Sequence, residues 1–236
     1  VVGAVTASYA QIFPTGFGSA DASSNLNLET AGQVLPNFVI VPLGQGGRVS
    51  AYLPSGGHLL VDLLGYFVPS DAASAGRFQA LTPTRVLDTR QGSGTRPRAG
   101  SSTTVAFPAS TGLPASGVAA VVVTVTATAV PADGYVTAYP SGTAVPDAST
   151  LNLVRGDTNA NTAIVPLGAD RTISLYSQSG AHLIVDLQGY VTDASAPALT
   201  TGRFVPVNPA RVLDTRATTP VPAGGALALA LRGAGG

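Results

Sequence analysis

Histidine and aspartate stand four residues apart twice in this chain, as His58 with Asp62 and as His182 with Asp186. In an extended strand that spacing puts both side chains on one face. An imidazole beside a carboxylate is the arrangement of a general base oriented by its acid. A hydrolytic triad also needs a nucleophile on a strained turn, and no GxSxG occurs. Only two His are present, too few for a multi-histidine metal site in either copy. Glu29 is the only Glu, so the paired carboxylates of a glycosidase are missing. Asp21, Asp133, Asp147, Asp157 and Asp170 fall in turn-like segments without DxDxDG spacing, which reads as Asx-turn capping rather than calcium binding. The expectation is therefore no catalytic residue, no metal and no cofactor, with both histidines structural.

The second chemical signature is a hexapeptide. RVLDTR occupies 85–90 and returns at 211–216 in a chain with only 12 basic and 12 acidic residues. Strand alternation predicts Arg85, Leu87 and Thr89 on one face and Val86, Asp88 and Arg90 on the other. The charges present in both copies balance, with Arg77, Arg85 and Arg90 against Asp88, Asp147 and Asp186. Arg forks bond carboxylates in bidentate fashion, so Arg85, Asp88, Arg90, Arg211, Asp214 and Arg216 read as internal strand locks, together with His58, Asp62, His182 and Asp186. Tyr52, Tyr135, Tyr139 and Tyr176 are expected to be exposed. Tyr135 and Tyr139 in particular would serve as a sugar-stacking strip, against the plainer reading of cross-strand packing. RGD at 155–157 reads as a hairpin turn, since ETAG stands there in the first copy.

These residues need elements to hold them, and composition says which. The chain is 45% hydrophobic and 10% charged, enough apolar stock for a sizeable core. Valine, Thr and Leu are plentiful, and β-branched residues favour pleated strands. Gly (28) and Pro (18) read as turns between many short strands. All twelve basic residues are Arg and Cys is absent, which excludes lysine Schiff bases, isopeptide cross-links, disulfides and thiolate metal sites. Formal neutrality without a basic run argues against nucleic acid. The longest apolar run, VAAVVVTV, is far shorter than a membrane span. The opening VVGAVT has no initiator Met or charged leader, which reads as a mature or excised piece, and the composition suits an extracellular or cell-surface setting.

Self-comparison finds two copies of one unit. GGHLLVDLLGYF from Gly56 matches GAHLIVDLQGYV from Gly180, VIVPLG at 39–44 matches AIVPLG at 163–168, and GRFQALTPTRVLDTR at 76–90 matches GRFVPVNPARVLDTR at 202–216. The order is late half, early half, late half, early half. Three domains follow: 1–68 is the late half of a repeat, 77–191 a complete repeat, and 203–236 the early half of the next. The Ala, Ser and Pro rich stretches at 69–76 and 192–202 are linkers. A rival frame of two complete domains, 1 to about 112 and about 118 to 236, would turn those linkers into loops. Within a unit eight strands are expected: RVLDTR, STTVAF, AAVVVTVTAT, YVTAYP, TLNLV, TAIVPL, TISLYS and HLIVDLQGYV. The fold class is all-β, in tandem antiparallel β-sandwich repeats of Ig-like or jelly-roll-like kind, with a small barrel or trefoil as runner-up.

The ordered set FxPVxPxRVLDTR, VxVTAT, GYVTAYPSG, STLNL, ANTAIVPLG and HLIVDLQGYV resembles the tandem β-rich repeats of secreted or cell-wall-associated proteins of high-GC Gram-positive and related bacteria. The resemblance covers essentially the whole chain. It implies surface architecture and brings no biochemical activity. The expected function is a non-enzymatic stalk, fibre or surface filament whose partner is itself, with a cell-wall polysaccharide-binding module beside a hydrolase as the alternative.

Overall fold

The computed structural model describes residues 1, 4–16, 24–63, 66, 74–92, 94–200 and 202. The chain forms two compact units, Val1–Arg203 and Phe204–Gly236; the second lies outside the described residues. Eleven strands make three antiparallel sheets, and no α-helix occurs among the described residues. No described helix is long and apolar enough to cross a membrane.

Eight of the strands lie in the uninterrupted copy: β4 (Phe78–Asp88), β5 (Ser101–Val105), β6 (Val118–Thr128), β7 (Gly134–Pro140), β8 (Leu151–Leu153), β9 (Asn159–Pro166), β10 (Ile173–Ser177) and β11 (His182–Thr192). They form sheets of order β5-β10-β7-β8 and β4-β11-β6-β9. Alternation explains the packing. On β6, Val121, Val123, Val125 and Ala127 point inward and are fully buried, as are Leu183, Val185 and Leu187 of β11. They meet Val105, Val136, Leu151, Ile173 and Leu175 of the other sheet in one apolar cluster, the core of a β-sandwich. Each such Val or Leu contributes about 1.5–3 kcal/mol by leaving water. Most connections pass from one sheet to the other. The RGD segment is an instance: it joins β8 to β9, which belong to different sheets, so it is a crossover turn and not the hairpin expected from the sequence. A hairpin would need both strands in one ladder, and the core between the sheets is what separates them.

The first copy supplies β1 (Ser8–Pro14), β2 (Leu26–Leu28) and β3 (Val49–Tyr52), in the order β2-β1-β3. Their pairing repeats that of β8-β7-β10 residue for residue. Ser8 faces Leu28 as Gly134 faces Leu153, and Pro14 faces Val49 as Pro140 faces Ile173. The Tyr9–Tyr52 ring pair, at 6.2 Å, likewise matches Tyr135–Tyr176 at 5.8 Å. Phe38 N–H donates to Asn161 Oδ1 (3.2 Å), a link from the first copy to β9. The copies part company at the HLxVDLxGY motif. In β11 it is a buried central strand. In the first copy, residues 59–63 belong to no strand, and Leu60, Val61 and Leu63 are 68, 72 and 82% exposed.

Candidate functional site

The polar centre of the described unit lies where the C-terminal end of β4 meets the start of β11. The expected strict alternation along RVLDTR does not hold. Val185 faces Leu87 and Asp186 faces Arg85, so Val86 is left over as a bulge. The extra residue brings Arg85 and Asp88, which alternation puts on opposite faces, to one side, with Arg85 Nη1 3.5 Å from Asp88 Oδ2. Val86 and Leu87 then both pack against the core. Thr89 and Arg90 lie in a turn rather than in the strand.

Two forks result. Arg85 Nε and Nη2 donate to the two carboxylate oxygens of Asp186, at 2.9 and 3.1 Å. Arg90 Nε and Nη2 donate to those of Asp88, at 2.9 and 2.7 Å, and the Arg90 backbone N–H adds a third bond at 3.1 Å. The Asp88 side chain is only 5% exposed, while both arginines keep about half their surface in water. Hydrogen bonds from Arg90, helped by the charge of Arg85, bring the Asp88 carboxyl down from 3.8 to about 2. The Arg85 guanidinium is correspondingly raised by its bonds to Asp186.

A depressed carboxyl stabilises the fold while it is ionised. Its contribution is complete above the unfolded value of 3.8 and is lost as pH falls through about 2. The melting temperature of the chain is therefore expected to exceed that of Asp88→Asn at pH 6 and to converge on it below about pH 2. High salt should narrow the gap, because the arginines are half-exposed. A constant difference across that pH range in thermal melts would refute the coupling.

His182 and Asp186 share a strand face, but each is engaged elsewhere. Thr89 Oγ1 and His182 Nδ1 lie 3.1 Å apart, and Asp186 takes the Arg85 fork. Thr89 is the residue that sequence reasoning passed over. Its hydroxyl accepts the Leu183 N–H (2.9 Å) and its own N–H donates to Leu183 O (3.0 Å), which extends the β4–β11 ladder past the end of the strand. Its place in both hexapeptides was the available signal. His58 and Asp62 are exposed; His58 holds an isolated β-bridge position and Asp62 lies in no strand. Arg211, Asp214 and Arg216 lie outside the described residues, as does the 203–236 domain.

The expected tyrosine strip is corrected. Tyr139 is buried, with its hydroxyl 2.7 Å from Ser102 Oγ, so it offers no open ring face. Tyr135, Tyr176 and Tyr52 are half-buried, and the first two pack on each other. On the face of β7 that carries Tyr139, Thr137 Oγ1 donates to Ala148 O, and at the strand edge Thr150 Oγ1 accepts the Ala138 N–H. Asp133 and Asp170 accept backbone N–H groups of Arg155 and Thr172.

Comparison with family models, curated proteins and solved structures found no match.

Proposed function

We propose that this chain is a non-enzymatic, extracellular structural repeat protein that builds a stalk, fibre or surface filament by head-to-tail stacking of β-sandwich units. The resemblance to cell-wall-associated β repeats points the same way. The observation that carries the reading is the contrast between two copies of one motif. Leu183, Val185 and Leu187 are fully buried, whereas the matching Leu59, Val61 and Leu63 are exposed. Monomeric proteins rarely leave a contiguous apolar run open to water, and such a run marks an interaction surface.

The unit doing the stacking is a jelly roll in this reading. In order of appearance, one sheet takes the first, eighth, third and sixth strands and the other takes the second, seventh, fourth and fifth, the double Greek-key arrangement. The first copy shows the seventh, fourth and fifth of that set, in the same register. The Arg85–Asp186 fork fastens the first strand to the last, and the Arg90–Asp88 fork holds the turn that follows the first strand, so their role in this reading is mechanical. A contact between unlike surfaces that does not close into a ring yields a filament.

Electron microscopy of the native material with helical averaging tests this reading. A filament whose rise matches two sandwiches is the expected result. Isolated particles holding two self-contained sandwiches would overturn it.

A further inference from the structure

The exposed segment at 58–63 has a partner written in the same sequence. In the described sandwich, β11 lies between β4 and β6. The β4 segment GRFQALTPTRVLDTR recurs at 202–216 with ten of fifteen residues identical. Leu60, Val61 and Leu63 stand open to solvent, an apolar run that an added strand would cover. Every further copy of the chain carries the matching segment.

We infer that residues 203–216 of a second copy of this chain add as an antiparallel strand to a segment that includes residues 58–63, in the register that β4 holds on β11. This rests on the filament reading and names the surface that would make it. The described ladder fixes the pairs. Ile184 faces Asp88, Val185 faces Leu87 and Asp186 faces Arg85, so Leu60 faces Asp214, Val61 faces Leu213 and Asp62 faces Arg211. The Arg211 guanidinium forks on the Asp62 carboxylate as Arg85 does on Asp186, and the Thr215 hydroxyl meets His58 as Thr89 meets His182. Charge complementarity fits the partner, because the exposed segment offers one carboxylate, Asp62, and the incoming strand one arginine, Arg211, at the matching position. Backbone ladder bonds supply affinity and the apolar alternation supplies register.

A second edge agrees. β10 is flanked by β5, the strand that follows β4 in sequence, whereas its counterpart β3 is an edge strand among the described residues. Both open positions of the first copy thus correspond to the early half of a unit, which is what 203–236 repeats.

The chain has no Cys, so introduced cysteines report contacts cleanly. Directly opposed residues of an antiparallel pair fall within disulfide reach. Full-length Val61→Cys and Leu213→Cys chains, mixed and oxidised, should give a cross-linked dimer, and the double variant a ladder of multimers on a non-reducing gel. Val61→Cys with Val212→Cys, one residue out of register, should give neither. Equal yield from that control would overturn the register. Cross-linking of the double variant only within single chains would overturn the second-copy partner. Filaments without the cross-link would sink this inference and leave the filament reading standing. Absence of both would remove the two together. A variant pair that leaves the core untouched guards against misfolding: Asp62→Arg and Arg211→Asp should each fail to assemble alone and assemble when mixed. Assembly of either alone would overturn the proposed ion pair.

Discussion

Leu187→Ala is expected to destabilise the described sandwich by about 2–5 kcal/mol, while Leu63→Ala, at the matching position of the first copy, should change the stability of the single chain by no more than about 0.5 kcal/mol. The two leucines occupy the same place in the same motif, VDLQGY against VDLLGY. Leu187 is fully buried and faces Val123 of β6 and Thr84 of β4, whereas Leu63 is 82% exposed. Truncating Leu187 removes apolar contact and opens a cavity between two sheets whose ladders resist collapse. Truncating Leu63 removes a side chain already in water. Urea unfolding at concentrations too low for assembly measures both, and an equal loss for the two variants would show that Leu63 is covered within the lone chain. In assembled material the difference should shrink. There Leu63 takes the environment of Leu187, so Leu63→Ala is expected to raise the concentration at which filaments form by tenfold or more, the factor that about 1.4 kcal/mol represents.

The strands were legible because each carries its own signal. VAAVVVTVTAT carries eight β-branched residues in eleven positions, and Gly and Pro stand at the two ends of β7. All eight expected segments of the uninterrupted copy contain strands, with β4 beginning earlier than RVLDTR and ending before Thr89. Which sheet each strand joins was not legible, because alternation says that a strand has an inner face and not which layer it faces. RGD looks the same in a hairpin and in a crossover. Nor could spacing reveal the bulge at Val86, which exists only because Asp186 and Val185 set the opposing register. Tyr139 is expected to be exposed, yet it is buried with its hydroxyl against Ser102 of β5, two strands away in the sheet, a neighbour that local sequence does not announce. The site shows the same limit. The arginines and aspartates of RVLDTR identified themselves by recurrence, but the pairing of His182 with Thr89 instead of Asp186 depends on a turn that the hexapeptide does not announce. The deepest case is HLLVDL at 58–63, which carries the same alternation as HLIVDL at 182–187 yet forms no strand over 59–63, whereas β11 lies between β4 and β6. Alternation states what a segment can become and not which neighbours it meets.

Glycine tests the same asymmetry through the backbone. Gly180, in the turn between β10 and β11, has φ +76°, and its counterpart Gly56 has φ +74°. An alanine in this left-handed region costs about 1–2 kcal/mol at either position. Only at Gly180 is space also short. A Cβ there would lie 2.7 Å from Ala99 N and 2.8 Å from Pro97 O, backbone atoms of the loop before β5, whereas at Gly56 the nearest atom is Val5 Cγ2 at 3.7 Å. That loop cannot retreat freely, because Gly100 N–H donates to Ser177 O, and Ser177 Oγ accepts the Gly180 and Ala181 N–H groups. Overpacking should add about 1–3 kcal/mol at Gly180 alone. Urea unfolding of Gly180→Ala and Gly56→Ala in dilute solution is therefore expected to show the larger loss at Gly180, and equal losses would mean that the 97–99 loop yields without strain. Assembly should reverse the leniency at Gly56. PRAG at 97–100 has its counterpart in PAGG at 222–225, so a second copy that completes the first-copy sandwich brings the same backbone against Gly56. Gly56→Ala should then impair filament formation far more than it impairs the single chain, and filaments unaffected by it would place the completing strands elsewhere.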